Sequence, residues 1–129
     1  MKMNKFRAYY KELMWQVVKI DWLNEIVVLA DDYGYMTEDI SLKEVILMKP
    51  TGLYDIGKKD EVFEDDIVYD DHNEEYGVVE FDEGKFVISW QSAYVEDLFE
   101  RINTLSVISN IHKEPELVTP TFNPELRLK

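Results

Sequence analysis

Between Asp55 and Glu83 the chain carries thirteen carboxylates against two bases, Lys58 and Lys59. Oxygen donors at this density, with His72 among them, are the raw material of a hard-cation site. A calcium loop needs its donors spaced to converge, usually with a glycine that permits the sharp bend. In "DDHNEEYG" (70–77) the order Asp-x-Asp-x-Asp-Gly is missing and the glycine comes last. Asp65, Asp66, Asp70, Asp71, His72 and Glu74 are therefore expected to solvate a connection between strands, not to hold a metal. Paired carboxylates also serve as general acid and base, but only where an apolar environment separates their pKa values. This densely charged run offers no such environment. His72 and His112 have no local nucleophile signature around them, and five singly scattered glycines make no phosphate loop. With no cysteine there is no thiolate nucleophile, disulfide or Cys-based zinc site. No catalytic, metal or cofactor-binding residue is expected.

A second constellation is aromatic. Tyr9, Tyr10, Trp15 and Trp22, with Phe6, crowd a short and nearly neutral stretch. Aromatic side chains on a small barrel can stack bases or line a peptide groove. Base stacking normally comes with a basic groove, which this chain lacks. The set fits a core or a protein contact, the latter because Tyr and Trp are enriched at interfaces.

Short strands must position these residues. "EIVVLA" (25–30), "EVILM" (44–48), "DIVY" (66–69), "YGVVEF" (76–81) and "KFVISW" (85–90) are rich in β-branched and aromatic residues. Turn-formers separate them at 31–34, 50–52 and 82–84. Asp82-Glu83-Gly84 is expected to be a three-residue hairpin loop with Gly84 at positive φ. In "SAYVEDLFERINTL" (92–105), Val95, Leu98, Phe99 and Ile102 recur at helical spacing, which predicts a short helix near residues 93–103 capped by Ser92. "LSVISNI" (105–111) is expected to be a closing strand, and Pro115, Pro120 and Pro124 argue against regular structure beyond it.

The whole chain, at 129 residues and 46% apolar, has the composition of one globular domain. No apolar run approaches the roughly 20 residues needed to span a bilayer. "MKMNKFRAYYKELMW" lacks the apolar stretch of a signal peptide, so the bacterial cytoplasm is the expected address. A net charge of −13 repels phosphate backbones and anionic lipid. Neither direct nucleic-acid binding nor membrane binding is expected. The charge is uneven: residues 1–49 hold seven bases and eight acids, residues 50–129 seven and nineteen.

Three segments in series resemble the YopX family of small proteins encoded by bacteriophages and prophages. They are "KFRAYY" (5–10), "TGLYD" (51–55) followed by "VFEDDIV" (62–68), and "VISNIHKEPEL" (107–117). Order and spacing match across residues 5–117. Asp65 and Ser109 stand where the family usually has glycine, and the turn after Asp55 has its glycine early. A glycine recurring before a strand points to positive φ at Asp65, so Asp65→Gly is expected to stabilise. The resemblance implies a mainly β fold of small SH3-like barrel or pseudobarrel character. It brings no catalytic residue.

The resulting expectation is a single mainly-β domain over residues 1–117, with an N-terminal β-meander over about 1–49 and a barrel-like part over about 50–112. An extended C-terminal tail follows over 118–129. The expected function is that of a phage-encoded, non-enzymatic protein-binding or assembly module, without cofactors. Its partner is expected to be itself, as a homo-oligomer, and a host protein in addition, through Tyr9, Tyr10, Trp15 and Trp22. The alternative is an acidic DNA mimic that inhibits a host nucleic-acid-binding protein, with Glu64, Asp65, Asp66, Asp70, Asp71, Glu74 and Glu75 as the mimic face.

Overall fold

The computed structural model describes residues 5–118. Over these residues the chain is mainly β, as expected, with a curled five-stranded sheet that forms half a barrel and one short α-helix. It divides into two compact units, Met1–Pro50 and Thr51–Lys129.

The first unit is one antiparallel sheet. Its strands are β1 (Arg7–Tyr10), β2 (Leu13–Asp21), β3 (Ile26–Ala30), β4 (Ile40–Ser41) and β5 (Ile46–Met48), in the order β4-β3-β2-β1-β5. Strand alternation sends every second residue to the same face. Ala8, Val17, Val27 and Leu29 share one, and with Ile40 they make the buried core of this unit. Phe6, Tyr10 and Trp15 pack half-buried around it. Lys11 and Glu12 form the two-residue β1–β2 turn, both with positive φ, which matches the right-handed twist of the flanking strands. Against β3, β2 carries an extra residue at Val18, a bulge that turns this valine outward.

In the second unit β6 (Pro50–Tyr54) pairs with β7 (Glu61–Phe63). A meander follows: β8 (Asp66–Asp70), β9 (Glu75–Asp82), β10 (Lys85–Trp90) and β11 (Val95–Asp97). The helix α1 (Leu98–Arg101) and a 3-10 turn (Ile102–Thr104) lead to β12 (Ser106–Asn110), which pairs with β8 on the opposite side of the sheet from β11. This β8 is buried on both faces. Val68 meets Val62, Val79, Ile88, Trp90, Leu98, Ile102 and Leu105 on one, while Ile67 meets Val78 and Val118 on the other. Each fully buried aliphatic side chain contributes about 1.5–3 kcal/mol, and an exposed ion pair at most about 1. The apolar layers therefore hold this unit together despite its charge.

Gly77 of β9 shows how tight the packing is. A Cβ there would lie 2.5 Å from Ile88 Cγ2 and 2.8 Å from the Trp90 ring. Glycine lets the indole lie against the strand backbone.

Two local expectations are corrected. The 82–84 loop is shorter than expected: Asp82 pairs with Lys85, leaving Glu83 and Gly84 as the turn, both at positive φ. The helix does not start after Ser92. Trp90 and Tyr94 close a turn through Trp90 N–H to Tyr94 O at 2.8 Å, with Ala93 at φ 69, and Val95–Asp97 becomes a strand. Asp97, not Ser92, caps α1 by accepting from Phe99 N–H at 2.9 Å. The anticipated apolar stripe is split: Leu98 and Ile102 are buried, Val95 and Phe99 exposed. In the C-terminal segment Val118 is buried in the second unit, and the remainder of the expected tail lies outside the described residues.

Candidate interaction surface

The four aromatic residues expected at a contact separate in the fold. Trp15 donates its indole N–H to Tyr10 O at 3.0 Å, and the two rings meet edge to face at 6.3 Å. Both lean on the core of the first unit, and Tyr9 of β1 is half-buried. Trp22 is different. It stands at the β2–β3 turn, 62% exposed, with its ring edge against Phe6 at 6.2 Å. Its neighbour Leu23 is 90% exposed.

The turn that presents them is fixed by one carboxylate. Asp21 accepts from the Asn24 side-chain amide at 2.8 Å and from Asn24 N–H at 3.1 Å. These bonds hold Asp21 below the usual carboxylate range. A second turn, at the far end of β3, is built the same way. Asp31 Oδ1 accepts from Tyr33 N–H and Tyr35 N–H, each at 2.9 Å, and Gly34 takes φ 89 between the tyrosines. Short acidic side chains that hydrogen-bond their own backbone a few residues on are the usual device for such turns. Tyr33 is thereby left 96% exposed, with Tyr35 and Met36 also facing solvent. The sequence pattern marks residues 31–34 only as a turn. Two tyrosines flanking a turn glycine were the available sign of a displayed aromatic pair.

The acidic run does not form the continuous face that a DNA mimic needs. Asp66 is 2% exposed and Asp70 4%. Their alternation on β8 points both inward, on the side of Val68. Asp66 accepts from Phe63 N–H at 2.8 Å across the β7–β8 turn. Asp65, at φ 73 in that turn, lies 2.8 Å from His112 Nε2. Glu64 and Glu75 are half-buried, which leaves Asp71 and Glu74 as the exposed members of the set. Asp65, Asp66 and Asp70 are spent inside the unit because β8 must be covered on both sides and its polar ends need partners there.

Asp70 anchors the largest of these internal networks. It accepts from Arg101 Nη2 at 2.9 Å, Asn73 Nδ2 at 2.9 Å and His72 N–H at 3.0 Å. Arg101 also pairs with Glu96 and lies 5.8 Å from the Trp90 ring centroid, while Trp90 Nε1 donates to Glu96 at 2.8 Å. Burial pushes the Asp70 carboxyl up. The bonds from Arg101, Asn73 and the His72 amide more than offset this and leave it below its ordinary value. Arg101 is held more strongly protonated by Glu96 and Asp70 despite its own burial. Each member is bonded to another, so the network joins β8, β10, β11 and α1 as a structural unit.

Asp55 acts similarly on β12. Its Oδ1 accepts from Gly57 N–H and Lys58 N–H, and its Oδ2 from Val107 N–H at 2.8 Å. The bond to Val107 occupies a backbone donor on the outer edge of the sheet. Among the described residues no three His, Cys, Asp or Glu side chains come together in a way that could hold a metal ion. No helix among them is long and apolar enough to cross a membrane.

The family model described as YopX protein matches residues 5–119, most of the chain. None of the curated proteins searched matches.

Proposed function

The chain belongs to the YopX family, and from that premise we propose that it is a non-enzymatic protein-binding and assembly module, encoded by a phage and working in the host cytoplasm. The observation that carries this reading is the turn at 22–24. Trp22 and Leu23 stand in solvent on a turn whose conformation Asp21 and Asn24 fix in advance. Large apolar side chains held rigidly in water favour association, because burying them against a partner costs little ordering. The first partner is a second copy of the chain.

Sedimentation equilibrium at micromolar concentration tests it. The full chain should form a species heavier than the 15.3 kDa protomer, and Leu23→Glu should return it to the protomer with its far-UV circular dichroism unchanged. A chain that is monomeric throughout that range contradicts the reading.

A further inference from the structure

The first fifty residues are nearly neutral in sum, but their charge is segregated. From Ile20 to Leu42 there are six acids, Asp21, Glu25, Asp31, Asp32, Glu38 and Asp39, and no lysine or arginine. The middle of this stretch is the turn that displays Tyr33 and Tyr35. The chain leaves β3 at Ala30, turns, and returns beside it through the Ala30–Met36 bridge and the bond from Thr37 N–H to Leu29 O at 2.8 Å. Asp32 is exposed in the turn, and Glu38 and Asp39 are exposed on the returning segment. Two open ring faces and three open carboxylates therefore share one short hairpin. Asp31 is already committed to the Tyr33 and Tyr35 amides, so the rings are presented at small ordering cost.

We infer that this hairpin, residues 31–39, is a docking surface for an arginine-rich segment of a partner protein. The chemistry selects the partner by charge and by shape. A planar guanidinium stacks on a tyrosine face while its N–H fork bonds a carboxylate, and it is less strongly hydrated than an ammonium. A simpler cation–ring contact occurs at the β1–β2 turn, with Lys11 Nζ 5.4 Å from the Tyr10 ring centroid. An acidic partner would meet repulsion across the stretch 20–42, and an apolar one would leave Asp32, Glu38 and Asp39 unpaired. The inference rests on the protein-binding reading above and adds to it a second surface with a defined partner class.

The test is fluorescence anisotropy of the full chain with labelled nona-arginine and nona-lysine peptides at 0.15 M NaCl. Nona-arginine should bind several-fold more tightly than nona-lysine. Replacing both tyrosines, Tyr33→Leu with Tyr35→Leu, keeps the net charge and apolar bulk, yet should weaken nona-arginine binding about tenfold. Asp32→Asn with Glu38→Gln should weaken it comparably. Asp71→Asn with Glu74→Gln removes the same charge from the β8–β9 turn and should change the affinity less than twofold. The inference is overturned if the tyrosine pair is neutral, or if the β8–β9 substitutions weaken binding as much as those on the hairpin. Its failure is separable from that of the assembly reading: a chain that self-associates but ignores the peptides sinks only the present inference. A monomer that binds nona-arginine in the stated pattern sinks only self-assembly.

Discussion

Asp65 holds φ 73, a conformation that costs a residue with a Cβ about 1 kcal/mol. Relief of that strain favours Asp65→Gly. The His112 contact at 2.8 Å offsets part of the gain, since glycine loses it. Comparing Asp65→Gly with Asp65→Ala removes this ambiguity, because neither keeps the carboxylate. At ordinary φ alanine would be the more stable by about 0.4–1 kcal/mol; here glycine should be, by about 0.5–1 kcal/mol, in urea midpoints. Ser109 is the second residue standing where the family usually has glycine, and its buried Oγ has no hydrogen-bond partner among the described residues. Ser109→Ala should therefore raise stability by about 1 kcal/mol, since a buried hydroxyl without a partner costs about 1–3. Gly77→Ala should do the reverse, lowering stability by about 1–3 kcal/mol through overpacking against Ile88 and Trp90. Equilibrium urea unfolding reads all three, and a stabilising Gly77→Ala would mean that the Trp90 ring has room to move.

At the level of elements, the Asp70–Arg101 pair ties β8 to α1. Asp70 is lowered in the folded state, so its stabilisation is present above the unfolded carboxylate value of about 3.9 and is lost as pH falls through the folded value. Asp70→Asn should be less stable than the parent at pH 7, and the difference should close below about pH 4 in thermal melts. Arg101→Met should cost about 2–4 kcal/mol at pH 7, mostly by leaving Asp70 buried without its cation. This network also explains what was legible in the sequence. Runs such as "DIVY" and "KFVISW" gave their strands directly, because β-branched and aromatic content is a local signal. Val95 and Phe99 have helical spacing with Leu98 and Ile102, so the pattern starts the helix too early. In the fold Val95 pairs with Ser89 and Glu96 with Ile88, and Glu96 reaches Trp90 and Arg101. Those partners are set by the meander, and no local pattern reveals them. The inward turn of Asp66 and Asp70 was hidden for the same reason: alternation tells which residues share a face, but not that both faces of β8 are covered.

The whole molecule carries a net charge of −13 yet displays Trp22, Leu23, Tyr33 and Tyr35 on two turns of its first unit. Unpaired strand edges supply little surface for association. In that unit β4 has two residues and β5 three, and in the second unit Asp55 caps a donor on β12. Apolar contact through the turns and charge repulsion between copies then act in opposite directions, and salt separates them. The decisive measurement is sedimentation equilibrium of the unmodified chain at 0.1 M and 0.5 M NaCl. If Trp22 and Leu23 make the contact, screening removes repulsion between the copies, and self-association should hold or tighten at the higher salt. A chain that dissociates as salt rises is held by ion pairs, and one that is monomeric at both salts does not assemble through this surface; either result contradicts the account.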